Sequence, residues 1–286
     1  MSVKCQNCGV ENVDNAKYCC ECGNELGFYC RKCGVYNRNG KFCINCGTKN
    51  EPVDWNNAST SCHDYSWDNV YKDESGTYTA DRLVFLEGNY NAKKIEIRRG
   101  TRVICDDALV IDQIFEYAIV EEIIIPGSVT QIGESAFACC INLQSIVIPD
   151  SVTQIGEAAF MYCESLQSIV IPNSVTQIGK QAFWGCKSLQ SIVIPDSVTQ
   201  IEYCTFSFCS SLQSIVIPDS VTQIGERVFW DCISLQTIVI PDSVTQIGSE
   251  AFRDCKSLQS ICIPKGTIEK FKKLIDPKCH YLIEEV

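Results

Sequence analysis

The sequence predicts a β-rich solenoid of parallel strands, wound in 23-residue coils and preceded by a small cysteine-rich module. Three observations carry this. An Ile-Pro dipeptide places Pro126, Pro149, Pro172, Pro195, Pro218, Pro241 and Pro264 at a constant interval of 23 residues. The stretch SLQSIVIPDSVTQIG, Ser211 to Gly225, occurs five times, the other copies departing from it only at Asn142, Asn173, Glu202 and Thr237. Residues 5–47 hold four Cys-x-x-Cys-Gly units.

The totals set the frame. The chain has 286 residues, of which 45% are hydrophobic and 21% charged, enough apolar matter for a real core and too much for a disordered chain. The net charge is −11, distributed as +3 over residues 1–50 and −7 over residues 123–264. An acidic repeat array is a poor platform for nucleic acid, whose phosphates require facing cations. The opening MSVKCQNCGV lacks the basic-then-apolar pattern of a secretory leader, and no run of 18 apolar residues appears. These features lead to the expectation of a cytoplasmic protein without a membrane span.

Taking the elements in order, residues 1–49 are expected to bind metal. Cys5 and Cys8 are followed by Cys19 and Cys22; Cys30 and Cys33 are followed by Cys43 and Cys46. Two cysteines three apart on a tight turn aim both sulfurs at one ion. The glycine after each pair permits the turn's backbone. Two such turns supply the four thiolates of a closed tetrahedral zinc shell, so the segment is expected to hold two structural Zn²⁺ with no open position for catalysis. So short a segment has little core, and the metal supplies much of its folding free energy. Cys20, beside Cys19, is an alternative ligand; Cys19 keeps the pair spacing. The segment resembles a double zinc ribbon, a tandem module common at the front of bacterial multidomain proteins.

Residues 50–80 turn polar and acidic, and read as a linker passing into an irregular cap. Trp55, Tyr65, Trp67 and Tyr71 are candidate anchors for it. The adjacent Cys62 and His63 make no metal site by themselves. The strand-like RLVFLEG, Arg82 to Gly88, is expected to begin the ordered solenoid domain, residues 81–264.

Within one coil, Leu166 to Cys186, Ile169 and Ile171 alternate with Ser168 and Val170, which is strand periodicity. Pro172 cannot donate to a ladder and ends the strand. Asn173 and Ser174 turn the chain, and Val175 and Ile178 return to the interior. Gly179 is expected to permit a sharp bend. Ala182, Phe183 and Cys186 are expected to close the coil through a short helical turn. Each coil contacts only its neighbours, so one coil sequence fits everywhere in the stack.

This consensus, L-x-x-I-x-I-P-x-x-V-x-x-I-G-x-x-A-F-x-x-C, resembles the BspA-type leucine-rich repeat over roughly residues 95–264. The resemblance implies a parallel-strand solenoid. Ile95–Leu109 looks like a degenerate first coil with five extra residues before the regular array. Residues 265–286 resemble the family's closing cap, with a helix near Thr267–Leu274 and a last strand near Tyr281–Glu285.

A second cysteine set, Cys140, Cys163, Cys186, Cys209, Cys232 and Cys255, falls at one phase of the repeat. Its place explains it as a small buried residue at the coil corner, without chemistry. Function should lie where the coils differ. Variation concentrates just after the phenylalanine of each coil, and neighbouring coils lie about 5 Å apart. Met161, Tyr162, Trp184, Phe208 and Trp230 would then form a contiguous aromatic row along one edge. Such a row either meets a protein partner or folds back onto the coil corners as packing. The strand face, with Ser168 and Val170 and their equivalents, makes a smooth uncharged ribbon.

An enzyme is not expected. The two histidines, His63 and His280, lie outside the array, and no nucleophile set, phosphate loop or carboxylate pair stands out from the repeat. The reading is a non-catalytic protein–protein interaction or scaffold protein, with the cysteine module as a docking or structural unit. Two alternatives remain: association with nucleic acid or the transcription machinery through the cysteine module, and a cell-surface adhesin.

Overall fold

The computed structural model describes residues 58–61, 70–79, 84–110 and 118–286, together with four two-residue strands nearer the start. Those four strands form two antiparallel pairs, Val3–Lys4 with Glu11–Asn12 and Phe28–Tyr29 with Tyr36–Asn37. The eight proposed zinc ligands, Cys20, Trp55, Tyr65, Trp67 and the Cys62-His63 pair lie outside the described residues.

The array is a solenoid of about eight turns. Its first ladder is a nine-stranded parallel sheet running from Lys94–Glu96 to Ile283–Glu285. Between regular coils the pairing is offset by one repeat, as in Ser145 with Ser168 and Ile146 with Ile169. The first coil pairs Lys94 with Glu122, an offset of 28 that absorbs the five extra residues. Proline ends each strand as expected. Its carbonyl then accepts from the valine N–H three residues on, Val152 to Pro149 and Val175 to Pro172 both at 3.0 Å, closing the turn.

The second ladder is formed by the short strands at the Gln-Ile dipeptides. It begins inside the stretch expected as an irregular cap. Tyr71–Lys72, Gly76–Tyr78 and Val84–Gly88 pair antiparallel, and Val84–Gly88 then pairs parallel with Val103–Ile104. Tyr71 does anchor this segment: its ring lies 6.1 Å from that of Tyr78, and the Arg98 guanidinium sits 5.2 Å above it.

The glycine of each regular coil does not bend the chain through an unusual φ. Its role is close approach. A Cβ placed on Gly179 would lie 2.5 Å from the Gly156 carbonyl carbon, so backbone rests on backbone at this phase.

The closing segment also differs from expectation. It is a pair of turns rather than a helical turn, with left-handed residues four apart, such as Ala158 and Tyr162 or Cys204 and Phe208. The physical reason is a third inter-coil ladder. Ala158, Phe160 and Tyr162 donate their N–H groups to the carbonyls of Lys180, Ala182 and Trp184 in the next coil, at 2.7–2.8 Å. A helix would spend those donors internally and leave the coils unjoined.

Inside, the repeated Leu, Ile, Val, Ala, Phe and Cys positions form one continuous core. Phe160, Phe183, Phe206, Phe229 and Phe252 stack nearly parallel, with centroids 5.5–5.9 Å apart. Each fully buried Val, Leu, Ile or Phe contributes about 1.5–3 kcal/mol. The cap closes the last coil with a helix, Ile268–Leu274, a 3-10 segment, Pro277–Leu282, and the strand Ile283–Glu285. Phe271 of the helix is fully buried, and the strand covers the edge that the last coil would otherwise leave unpaired.

Candidate functional site

The aromatic row is built from alternating positions on successive coils. Trp184 and Trp230 occupy the first residue after the core phenylalanine; Tyr162 and Phe208 occupy the second, in left-handed backbone with φ of 57° and 60°. Gly185 makes room for the row, since a Cβ there would lie 2.6 Å from Tyr162 Cδ1. The rings then meet in sequence. Tyr162 to Trp184 is 4.8 Å between centroids, Trp184 to Phe208 is 5.9 Å and Phe208 to Trp230 is 4.7 Å. Met161 stands at the head of the row, half-buried. The contiguity inferred from the repeat is present. The rings are half-buried, each edge resting on the next, so one flank packs and the other faces solvent.

The end of the row carries charges that the sequence reading passed over. The guanidinium groups of Arg227 and Arg253 lie 5.6 and 5.9 Å from the Trp230 ring centre, and Trp230 Nε1 donates to Asp254 at 3.2 Å. Both arginines also donate to Glu250 at 2.6 Å, and these two hydrogen bonds, Arg227 first, hold its carboxyl below the usual range. In so exposed a place the ion pairs add little stability; what they do is fix the cations against the ring. The signal was present in the sequence as two arginines 26 residues apart, one coil plus three, which places both beside the same tryptophan.

A second surface is the face of the first ladder. Val147, Val170, Val193 and Val216 are 66–77% exposed, beside exposed serine and glutamine columns. No charged side chain lies within the strands from Ser145–Val147 to Ser260–Ile263.

The cysteine column is structural, with a partner that the sequence did not reveal. Cys163, Cys186, Cys209, Cys232 and Cys255 each donate S–H to the phenylalanine carbonyl of the preceding coil, at 3.0–3.2 Å. Burial pushes the thiols of Cys140, Cys209 and Cys255 up to about 12, and those of Cys163, Cys186 and Cys232 well above their ordinary value. Protonated and enclosed, they are neither nucleophiles nor metal ligands. Among the described residues no group of three or more His, Cys, Asp or Glu is placed to hold a metal ion. Nor is any helix there long and apolar enough to cross a membrane.

Residues 108–233 and 176–280 match the family model of the BspA type leucine rich repeat region. The matched stretches together span more than half of the chain, and it belongs to the BspA-type leucine-rich repeat family. Proteins of this family are typically interaction or surface proteins, and no catalytic activity is indicated. The chain is also similar to several solved structures. A leucine-rich repeat protein from Bacteroides ovatus is 25% identical, over 76% of this chain and 67% of its own, with a TM-score of 0.46. A leucine-rich repeat protein of T. pallidum is 26% identical over 68% and 80%, with a TM-score of 0.48. A leucine rich cell surface protein from Faecalibacterium prausnitzii is 27% identical over 63% and 62%, with a TM-score of 0.38. No curated protein sequence matches the chain.

Proposed function

We propose that the chain is a non-catalytic interaction protein whose solenoid binds a protein partner through the row Met161, Tyr162, Trp184, Phe208 and Trp230. The carrying observation is the row itself: four rings from four consecutive coils in edge contact, ending at a tryptophan flanked by two cations. Aromatic and arginine side chains held rigid at a surface are the residues that dominate binding energy at protein interfaces. The test is a pull-down comparing the intact chain with one in which Tyr162, Trp184, Phe208 and Trp230 are changed to serine, folding being checked by circular dichroism. A partner held by the intact chain and lost by the folded variant supports the row. Equal capture by both removes it.

The first 49 residues serve, in this reading, as a double zinc ribbon that docks or stabilises. Support comes from the ligand spacing and from the two antiparallel strand pairs, each of which brackets a Cys-x-x-Cys-Gly in sequence, Cys5 to Gly9 and Cys30 to Gly34. Elemental analysis should find two zinc ions per chain, and one after Cys30→Ser with Cys46→Ser. A metal-free purified chain would remove the ribbon. The cytoplasm is the compartment we assign, because the column of buried, unpaired thiols suits a reducing environment. Cell fractionation tests this, and recovery at the cell surface would overturn it.

A further inference from the structure

The second ladder is broken at one place. Gln131–Ile132, Gln154–Ile155 and Gln177–Ile178 belong to one sheet; Gln200–Ile201, Gln223–Ile224 and Gln246–Ile247 form another. At the other joints of the regular array the N–H at the threonine phase donates to the threonine of the coil before, as Thr176 to Thr153 and Thr222 to Thr199, both at 2.9 Å. The N–H at the glycine phase donates likewise, as Gly179 to Ile155 at 2.9 Å and Gly225 to Ile201 at 2.7 Å. Between the coil of Gln177 and the coil of Gln200 neither bond forms: Thr199 N–H does not reach Thr176, and Glu202 N–H does not reach Ile178. The threonine hydroxyl bond present at the neighbouring joints, as Thr176 Oγ1 to Thr153 O and Thr222 Oγ1 to Thr199 O, is also missing here. A groove of about 740 Å³ runs over this ladder from Asp106 and Gly133 to Gln200 and Glu202, and its far end takes in the residues on both sides of the break.

The cause is one residue. Glu202 stands in the glycine column, where backbone rests on backbone and a Cβ has no room. The coil must lift from Gly179 to admit it. At the next joint a Cβ on Gly225 would lie 2.8 Å from the Glu202 carbonyl carbon, against 2.5 Å for Gly179 on Gly156, while the ladder bonds there are intact. The other two ladders continue across the gap. Ser168 still pairs with Ser191 and Ile169 with Ile192, and Gln181, Phe183 and Gly185 donate to Tyr203, Thr205 and Ser207. The joint is thus closed on two sides, while on the third only the Ser197 hydroxyl bond to the Val175 carbonyl, at 2.5 Å, crosses it. It falls between the coils of Trp184 and Phe208, where the aromatic row has its widest spacing.

We propose that Glu202 divides the solenoid into two blocks hinged at this joint, so that the curvature of the array is adjustable there and fixed elsewhere. In a one-dimensional stack a single weak interface partitions the whole array, because no distant contact compensates. The hinge is independent of what the aromatic row binds, although its motion would change the pitch of the row.

Hydrogen exchange read by mass spectrometry tests it with an internal control. The segments VTQIE, residues 198–202, and VTQIG, residues 221–225, differ at a single residue. In the intact chain the amides of Thr199 and residue 202 should exchange about tenfold or more faster than those of Thr222 and Gly225, because a local opening replaces two hydrogen bonds. Glu202→Gly should abolish the difference. Glu202→Ala, which removes the charge and keeps the Cβ, should preserve it. Equal protection of the two segments in the intact chain would overturn the hinge. Closure by alanine as complete as by glycine would overturn its cause.

Discussion

Phe183→Ala is the substitution on which the stacked-core account can be measured. The ring is fully buried and lies between Phe160 at 5.5 Å and Phe206 at 5.7 Å, nearly parallel to both. Its backbone is tied twice to the next coil, to Thr205 through its N–H and to the Cys209 thiol through its carbonyl, which opposes closing the cavity by sliding the coil. Truncation of a buried phenylalanine costs about 3–5 kcal/mol, and the upper half of that range is expected where two ring contacts are lost together. Phe252 supplies the contrast. It ends the ring column, stacks on one ring only among the described residues, Phe229 at 5.9 Å, and lines a cavity beneath the C-terminal cap. Phe252→Ala should cost at least about 1 kcal/mol less, since one ring contact is absent and the site can relax into the cavity. Urea unfolding followed by far-ultraviolet circular dichroism gives both values. Equal costs at the two positions, or a cost below about 1 kcal/mol at Phe183, would refute the claim that each coil is stabilised by its two neighbours.

Two further outcomes follow from the same packing. Gly156→Ala should act as Glu202 does naturally, because its Cβ would meet the backbone of Gly133; a loss of about 1–3 kcal/mol and faster exchange at residue 156 are expected, and unchanged exchange would deny the close-approach role. The thiol column should make stability fall in alkali. The folded chain holds these protons to about pH 12 or beyond, while unfolded thiols release them near 9, so the stabilisation is intact below about pH 9 and is lost as pH rises toward 12. Unfolding free energy measured from pH 8 to 11 should decline progressively, and a flat profile would show the thiols to be exposed.

The coil was legible because its determinants are local and repeated. Alternation around Ile169 and Ile171, the stop at Pro172 and the inward Phe183 each follow from a property of one residue, and seven aligned copies make the register plain. What was not legible depends on the neighbouring coil. Gly179 reads as a bend by itself and becomes a contact surface only when Gly156 lies beneath it. The turn at Ala182–Cys186 reads as helical until its N–H groups are seen to serve the coil ahead. Glu202 was visible as one departure among four, yet Asn142, Asn173 and Thr237 leave the second ladder closed, because none of them occupies the glycine phase. At the candidate site, phase alone brought Tyr162, Trp184, Phe208 and Trp230 together. Their half-burial and the arginine pair on Trp230 required side-chain directions that spacing does not supply.

The most direct measurement is the affinity of a captured partner for two single-site variants on the two candidate surfaces, Trp230→Ala on the aromatic row and Val193→Arg on the exposed strand face. The account predicts a loss of about 30-fold for Trp230→Ala, the scale of an interface residue worth about 2 kcal/mol, with Val193→Arg unchanged. Loss with Val193→Arg and retention with Trp230→Ala would contradict it and move the binding surface to the valine ribbon.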